Sequence, residues 1–284
     1  MPETPPEALS PKRPIGIFDS GIGGLTVARQ IMRRLPGESI VYFGDTARVP
    51  YGSKSDRTVR AFAWEDSLFL LAHDVKMIVV ACNTASAVAL GELDRQLRIP
   101  VIGVIEPGAE AAVAVTQSGR IGVIGTLATV HSRAYEKAVQ RLNASATVYS
   151  TSCPLFVHLV EEGWVEGEAP ELIARKYLTP LLDRGIDTLI LGCTHYPLLK
   201  ALLSGILGPG VTLIDSAEQI ARRVETLLQE RRELSPAPQG TRRFFVSDYP
   251  RNFEELGRRF LGEPVGEVAM AEPWKHIHPE SSTE

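Results

Sequence analysis

The sequence predicts an α/β protein built from two similar doubly wound domains with largely parallel sheets. From residue 14 onward, short apolar runs typical of buried strands alternate with amphipathic stretches typical of helices, which is the pattern of a parallel sheet. The alternation restarts near residue 101, and PIGIFDSG at 14–21 and RIGVIGTL at 120–127 both indicate a strand followed by a tight turn. Two halves related by a pseudo-two-fold axis explain this repeat most simply.

In the first half, each predicted strand ends at a turn that leads towards a helix. DSGIGG at 19–24 is a glycine-rich turn, and the loop GDTARVPYGS at 44–53 has a length that is often functional in compact domains. Ser55 is expected to cap the helix that follows this loop. The predicted strands are 15–18, 39–43 and the apolar run that begins at 77, and the predicted helices are 25–35, 55–72 and 85–96.

The second half repeats the alternation and is followed by a closing set of elements. The loop LSPAPQGTRR precedes the last predicted strand and is polar and proline-containing. The predicted strands are 101–106, 120–125, the apolar run that begins at 188, 211–215 and 242–248. The predicted helices are 107–116, 132–142, 155–162, 172–184, 198–207, 217–231 and 252–261.

The order of these elements predicts a discontinuous first domain. Only a few elements remain after residue 212, so the chain is expected to return and complete the domain with which it began. Residues 1–12 carry four prolines and few large apolar side chains, which is typical of a disordered leader. We predict a leader at 1–12, a first domain of 13–100 plus 213–270, a second domain of 101–212 and a tail at 271–284.

Composition excludes several classes of protein. The formal net charge of −4 and the pI near 5.9 give no electrostatic footprint for nucleic acid or an anionic membrane surface. The longest apolar runs are too short to cross a bilayer, and the first residues lack the apolar core of a secretory signal. Three cysteines without CxxC spacing fit reduced intracellular thiols better than disulfides or a metal site. We therefore expect a cytoplasmic protein with no nucleic-acid or membrane partner and no metal.

Two cysteines stand at equivalent points of the two halves. MIVVACNTAS at 77–86 and TLILGCTHYP at 188–197 each contain a buried strand that breaks at a cysteine, and Cys82 and Cys193 lie 111 residues apart. Buried cysteines usually serve packing alone. Ligands of open α/β sheets, however, collect outside the carboxyl ends of the strands, so both thiols are expected at one cleft. There they can act as two bases on opposite faces of a carbon, which is the chemistry of racemisation.

The neighbours of the two thiols favour this chemistry over packing. Cys82 is followed by Asn83 and Thr84, and Cys193 by Thr194 and His195, which can hydrogen-bond a ligand carboxylate or tune a thiol. One cysteine must be a thiolate while the other is a thiol, so neighbouring groups must adjust the pKa values of both thiols. The candidate groups are Asp19, His195, Glu161 and Glu162. The alternatives without a catalytic role are that Asp19 is a plain turn residue and that Glu161 and Glu162 lie at a solvated helix end.

The DSGIGG turn also permits a dinucleotide-binding interpretation. GIGGLT resembles the start of G-x-G-x-x-G after a strand, and Asp45 lies at a plausible distance for a ribose contact. The third glycine position is Thr26, however, and the carboxylate of Asp19 would repel a phosphate at the turn. The same turn, with Ser20, suits a smaller carboxylate or an amino acid. The sequence contains no Gly-Lys dipeptide, which excludes a P-loop.

The chain carries the sequence blocks FDSGIGGLTV, YFGDTARVPYG, VVACNTASA, CPLFV with VEEG, and LGCTHYPLL. Taken together, they resemble the glutamate racemases, cofactor-independent enzymes of bacterial cell-wall synthesis. The blocks occur in order between residues 15 and 200, and FFVSDYPRNFEELGRRFLG resembles the closing segment of the family. The resemblance implies an isomerase that interconverts L- and D-glutamate in the cleft between two domains, needs no cofactor, supplies peptidoglycan synthesis and cell shape, and forms a homodimer.

The resemblance also implies roles for individual residues. Cys82 and Cys193 match the acid/base pair of the family, with Asp19 assisting Cys82 and with Glu161 and His195 assisting Cys193. The position of Glu161 in the block favours it over Glu162. The matching substrate-binding positions are Asp19, Ser20, Tyr51, Gly52, Asn83, Thr84, Thr194 and His195. His158 stands where the family commonly has a proline.

Three other functions remain compatible with the sequence. A related racemase that acts on aspartate would keep both thiols and would be distinguished only by its substrate. An amino-acid binding module would need no thiols, and a thiol redox protein would join Cys82 and Cys193 in a disulfide on oxidation. A pyridoxal-phosphate racemase is disfavoured, because no lysine and phosphate site is evident in the sequence.

Overall fold

The computed structural model describes residues 10–274, and its strands coincide largely with the most apolar runs of the sequence. The strands are β1 Ile15–Asp19, β2 Ile40–Gly44, β3 Met77–Val80, β4 Val101–Gly103, β5 Arg120–Gly125, β6 Thr147–Ser152, β7 Thr188–Gly192, β8 Thr212–Asp215, β9 Arg242–Val246 and β10 Val268–Met270. All residues of β1, β2, β3 and β7 are buried, which explains their continuous apolar sequences.

Helices connect the strands. They are α1 Leu25–Arg34, α2 Asp56–Leu71, α3 Asn83–Val88, α4 Leu90–Gln96, α5 Ile105–Val115, α6 Leu127–His131, α7 Ala134–Leu142, α8 Leu155–Glu161, α9 Glu168–Leu182, α10 Lys200–Leu207, α11 Ser216–Arg231 and α12 Pro250–Leu261. Short 3₁₀ helices cover Thr46–Arg48, Tyr51–Ser53 and Tyr196–Leu199. The Ser55 hydroxyl accepts from the Thr58 amide, as expected for the cap of α2.

The strands form two parallel sheets. The first sheet has the order β10-β9-β2-β1-β3-β4, and the second has the order β6-β5-β7-β8. Every strand pair of the described residues is parallel, with Ile15 beside Ile40 in the first sheet and Ile121 beside Thr188 in the second. The predicted α/β fold with two parallel sheets is therefore confirmed.

Both faces of each sheet are covered by apolar side chains. In β1, Ile17 belongs to a large core cluster and its neighbour Phe18 to a second cluster on the opposite face. In β7, Leu189 belongs to the same large cluster as Ile17, whereas Ile190 faces a third cluster. Because one continuous core contains residues of both sheets, the two carboxyl edges are held in a defined relation by packing.

Some elements differ from the sequence prediction. The predicted strand 101–106 ends at Gly103, because α5 begins at Ile105 and a proline is tolerated in the first turn of a helix. The predicted helix 85–96 is divided at Ala89, and the predicted helix 132–142 starts after Arg133, whose φ of 55° is left-handed. Strands β6 and β10 were not predicted. In β6 the side chains are half-buried or exposed, so it lacks an apolar run.

The predicted leader and tail fall mostly on residues 1–9 and 275–284, which lie outside the described part of the chain. The residues next to them are ordered. The Arg13 amide donates to the Ser10 carbonyl over 3.0 Å, and Lys76 Nζ donates to the Pro11 carbonyl over 3.0 Å. At the other end, the Ala271 amide donates to the Val246 carbonyl over 2.8 Å.

The strand pairing indicates where the boundaries between the two domains lie. Strand β4 pairs with β3 in the first sheet, and β8 pairs with β7 in the second, while β9 and β10 lie in the first sheet. The predicted boundaries at 100/101 and 212/213 separate β4 and β8 from these partners. We therefore propose that each boundary lies a few residues later, after Gly103 and after Asp215.

Among the helices of residues 10–274, none combines the length and the apolar character that a membrane-spanning segment needs.

Candidate active site

Cys82 lies where β3 ends and α3 begins. Its Sγ is 3.7 Å from Ser20 Oγ, which follows β1, the neighbour of β3 in the sheet. The side chain is 5% exposed. Burial in apolar surroundings, reinforced by the nearby carboxyl of Asp19, raises the pKa of the Cys82 thiol to about 12. Cys82 is therefore protonated at neutral pH and can give up its proton as an acid.

Cys193 follows β7 and has a different environment. Its Sγ lies 3.9 Å from Nδ1 of His195, and Nε2 of the same ring lies 2.9 Å from Oε1 of Glu161. Burial alone would lower the pKa of His195, but the hydrogen bonds to Cys193 and Glu161 outweigh it and raise this pKa to about 10. The ring thus favours its protonated form at neutral pH, and it lies within hydrogen-bonding distance of the Cys193 sulfur.

Asp19 is completely buried at the end of β1. Its Oδ2 accepts from the Gly21 amide over 3.1 Å, and its Oδ1 has no hydrogen-bond partner within residues 10–274. Burial raises the pKa of Asp19, whereas the charge of His195 and backbone amides lower it. The buried site therefore favours the protonated form of this carboxyl more than water does.

The two cysteines line one cavity of about 100 Å³. Of the predicted site residues, ten line this cavity: Ser20, Tyr51, Gly52, Cys82, Asn83, Thr84, Glu161, Cys193, Thr194 and His195. Asp19 lies behind the wall without lining the cavity. Glu161 lines it and contacts His195, while Glu162, one position further along the chain, does neither.

Further residues line the cavity or support its wall, and sequence reasoning did not select them. Thr84 Oγ1 lies 2.9 Å from Thr126 Oγ1, and Asn83 Nδ2 donates to the hydroxyl of Tyr135 over 2.8 Å. His158 lines the cavity on the same face of α8 as Glu161, three residues away. This i, i+3 spacing was the one available signal, whereas Thr126 and Tyr135 come from distant elements and carry none.

The glycine-rich turn brings the two halves together. Thr26 Oγ1 lies 2.9 Å from the Gly23 carbonyl and 3.0 Å from the Thr194 carbonyl, so its hydroxyl links α1 to the segment after Cys193. A Cβ atom on Gly23 would lie 2.5 Å from Nδ1 of His195. Glycine is required here because the turn packs directly against the imidazole.

Replacing Gly23 with alanine is expected to lower turnover more than stability. The added methyl group displaces His195 and Thr194, and misplacement by about 1 Å can cost roughly 10²-fold in rate. Steady-state kinetics and urea unfolding of the same preparation measure the two effects. Gly91→Ala is the matched control, since its nearest neighbour is 3.8 Å away. Unchanged turnover in Gly23→Ala would show that the turn does not hold the imidazole.

The raised pKa of His195 predicts a pH-dependent stability. Between the ordinary value of 6.5 and about 10, the folded protein holds a proton that the unfolded chain has lost. This contribution is complete below pH 6.5 and disappears as the pH rises through about 10. The free energy of unfolding should thus fall over this window, and more steeply than in His195→Gln. Equal slopes in urea titrations of the two proteins would contradict the assignment.

The fold and the cavity define a class of protein: an α/β protein with two unequal thiols at the ends of strands from two parallel sheets. Comparison with known proteins makes this class specific. The chain belongs to the Asp/Glu/Hydantoin racemase family, whose sequence model matches residues 17–224. It is thus an amino-acid racemase, and the predicted resemblance to glutamate racemases is confirmed by the relatives below.

Named relatives match nearly the whole chain. The glutamate racemase of Geobacter metallireducens is 54% identical over 259 residues, which is 91% of this chain and 96% of the relative. That of Chlorobaculum tepidum is 49% identical over 268 residues, 94% and 98% of the two chains.

Solved structures of glutamate racemases cover a similar share of this chain. Glutamate racemase isoform RacE1 from Bacillus anthracis has a TM-score of 0.89 and 45% identity, covering 92% of this chain and 97% of that chain. The Francisella tularensis enzyme in complex with D-glutamate has a TM-score of 0.88 and 42% identity, covering 93% and 98%. An aspartate racemase from Picrophilus torridus, with a TM-score of 0.52, 18% identity and coverage of 78% and 99%, shares the fold alone.

Proposed function

We propose that this protein interconverts L- and D-glutamate by proton transfer at the α-carbon between Cys82 and Cys193. One observation carries the proposal: two thiols from two sheets line the same cavity in unequal environments. Glutamate is favoured over aspartate because relatives that are about half identical are glutamate racemases, whereas the aspartate racemase is 18% identical.

The unequal environments define a starting state. Cys193, beside the ring of His195, acts first as the base, and Cys82, a thiol beside Ser20, acts as the acid. The thiolate removes the α-proton from one face of the substrate, and the thiol delivers its proton to the other face. The product has inverted configuration, and the two cysteines have exchanged protonation states. Racemisation of the opposite enantiomer starts from that exchanged state.

Each thiol has a separate set of assisting groups. Glu161 and His195 exchange protons with Cys193. Asp19 does the same for Cys82, and its carboxyl raises the pKa of that thiol. Hydroxyl groups of Ser20, Thr84 and Thr194 are donors for the substrate carboxylates. Donors fixed in a buried cavity stabilise the negative charge that develops when the α-proton leaves. No cofactor is needed in this scheme.

The test is proton NMR of L-glutamate with the protein in D₂O, without added cofactor. The α-proton signal should disappear while D-glutamate appears, and L-aspartate should remain unchanged under the same conditions. Exchange of aspartate alone would identify the related activity instead. Binding of glutamate without exchange would identify a binding module.

The wider setting follows from this activity as part of the proposal. D-glutamate is a building block of peptidoglycan, so the protein would supply cell-wall synthesis and cell shape from the cytoplasm. A homodimer is the oligomeric state implied by the family. Sedimentation of the purified protein measures that state directly.

A further inference from the structure

Within residues 10–274, no arginine or lysine lines the cavity of the two cysteines. The lining side chains that can carry a positive charge are the imidazoles of His158 and His195. The ring of His195 is already engaged, because Cys193 lies at one of its nitrogens and Glu161 at the other. Glutamate carries two carboxylates, so His158 is the lining side chain that is free to offer the substrate a positive charge.

His158 lies at the mouth of the cavity with its imidazole unused. In the described part of the chain, this ring takes part in no hydrogen bond, ion pair or ring contact. The residue is exposed to solvent although it lines the cavity. Cys82 and Cys193, in contrast, are 5% and 7% exposed. The two sulfurs therefore lie deep in the cavity, and the imidazole of His158 lies nearer its opening.

Helix α8, which carries His158, is held in place by aromatic packing. Phe156 packs edge-on against Tyr177 and Tyr196, with centroid distances of 5.2 and 5.3 Å. The hydroxyl of Tyr196 also donates to the carbonyl of Cys153 over 2.9 Å, just before the helix begins. Because its backbone is fixed in this way, His158 has less freedom to lose when it binds a ligand.

The depth of the two sulfurs determines which end of the substrate meets His158. In the proposed reaction the α-carbon lies between Cys82 and Cys193, and therefore in the buried part of the cavity. The side-chain carboxylate of glutamate is separated from the α-carbon by two methylene groups. It is the part of the substrate that can extend towards a residue at the mouth.

We propose that His158 binds the side-chain carboxylate of glutamate and contributes to the choice of an acidic substrate. This inference rests on the proposed function and adds a residue to the same site. An imidazolium donates to a carboxylate through a charge-assisted hydrogen bond, which is stronger than a neutral one. Since histidine changes its charge between about pH 5 and 8, the contact strengthens as the pH falls through this range.

Other titratable and charged groups surround position 158 and stay the same when His158 is replaced. They line the cavity, belong to or pack against α8, or share the neighbouring cavity beside Glu161. They are Tyr51, Cys82, Cys153, Glu161, Glu162, Tyr177, Cys193, His195, Tyr196, Asp248, Tyr249 and Arg259. A ratio of dissociation constants between two variants at one pH therefore isolates the charge at position 158.

Calorimetry with D-glutamate tests the contact. At about pH 6 the Kd of His158→Gln should exceed that of the original protein by about three- to fivefold, since two unit charges about 4 Å apart in water give about fivefold. At about pH 8 the two Kd values should agree. His158→Lys keeps a positive charge and should bind more tightly than His158→Gln at both pH values. His131→Gln is the matched control, because His131 is exposed at the end of α6 and does not line the cavity.

D-glutamine distinguishes the two ends of the substrate, because its side chain ends in a neutral amide. With this ligand the Kd ratio of His158→Gln to the original protein should be the same at both pH values. A ratio for D-glutamate that does not change with pH, or that His131→Gln reproduces, overturns the proposal. The same pH-dependent ratio with D-glutamine also overturns it. Expected ratios without racemisation would refute the proposed function and leave this contact standing, whereas no binding of D-glutamate to the original protein overturns both.

Discussion

Replacing Cys193 with serine is expected to slow racemisation of glutamate by about 10²–10⁴-fold, the usual contribution of a positioned acid or base. A serine hydroxyl keeps the size of the side chain but remains protonated at neutral pH, so it cannot remove the α-proton. Cys82→Ser should be equally damaging, because the hydroxyl returns a proton poorly from the other face. Coupled assays of D-glutamate formation measure both rates.

The double variant sharpens this prediction. If the two thiols act as one unit, Cys82→Ser/Cys193→Ser should be no slower than the slower single variant, because either loss already interrupts the transfer. Additive losses would mean that each cysteine contributes independently. Substrate binding, followed by calorimetry with D-glutamate, should be largely retained in all three variants.

Cys153→Ser is the matched control for these substitutions. Cys153 is as buried as the other two, but its sulfur donates to the Thr151 carbonyl, over 3.7 Å, and does not line the cavity. A serine hydroxyl can make the same hydrogen bond, so turnover should remain close to that of the original protein. A loss of racemisation in Cys153→Ser equal to that in Cys193→Ser would sink the assignment of the pair.

The largest expected loss of stability follows from Arg48→Met. Arg48 Nε lies 2.7 Å from Asp45 Oδ2, and Nη2 lies 3.1 Å from Asp66 Oδ1. Glu65 also pairs with this guanidinium, and the Tyr51 hydroxyl donates to Asp66 over 2.9 Å. We call these five residues the ionic cluster. Both aspartates are fully buried, so removing the arginine leaves carboxylates without their positive partner.

Removing one partner of a buried ion pair costs about 3–5 kcal/mol, and we expect a loss of this size in Arg48→Met. Urea unfolding measures it. Arg34→Met is the control, because Arg34 pairs with Glu225 at the exposed surface, where a pair contributes about 0–1 kcal/mol. Asp66→Asn should recover part of the loss in the Arg48→Met background. Burial and the neighbouring Asp45 already raise the pKa of Asp66, so a neutral side chain suits the site. Equal losses of unfolding free energy in the two arginine variants would show that the ionic cluster contributes no more to stability than a surface ion pair.

Much of the fold was predictable because the central strands are buried on both faces. Ile15–Asp19, Met77–Val80 and Thr188–Gly192 are continuous apolar runs, and such runs identify buried parallel strands. Strand β6 was missed because its polar residues TVYSTS are half-exposed at the edge of the second sheet. The break at Ala89 was missed as well, because Gly91 is the one nearby residue that strongly disfavours a helix and a single glycine is often tolerated there.

The site was predictable where chemistry follows a strand directly. Cys82 and Cys193 could be placed because the carboxyl ends of parallel strands hold the ligands of such folds. Thr126 and Tyr135 could not be placed, because they reach the cavity or its wall from a different half and only tertiary packing brings them there. The spacing of His158 and Glu161 predicts that both side chains lie on one face of a helix. Only the structure shows that this face lines the cavity. The roles of Asp19 and of the substrate-binding residues stay predictions.

The hydrogen bond from Thr26 to the Thr194 carbonyl has a consequence for adapting this scaffold to other amino acids. Each cysteine lies at the carboxyl edge of a different sheet. The distance between the two sulfurs, which we call the gap, therefore depends on the angle between the sheets. Side-chain changes in the cavity wall alter which substrate fits, but they leave that gap unchanged. Selection for longer or shorter substrates should therefore favour cavity-wall residues, whereas selection for rate should favour substitutions at contacts such as Thr26, which does not line the cavity.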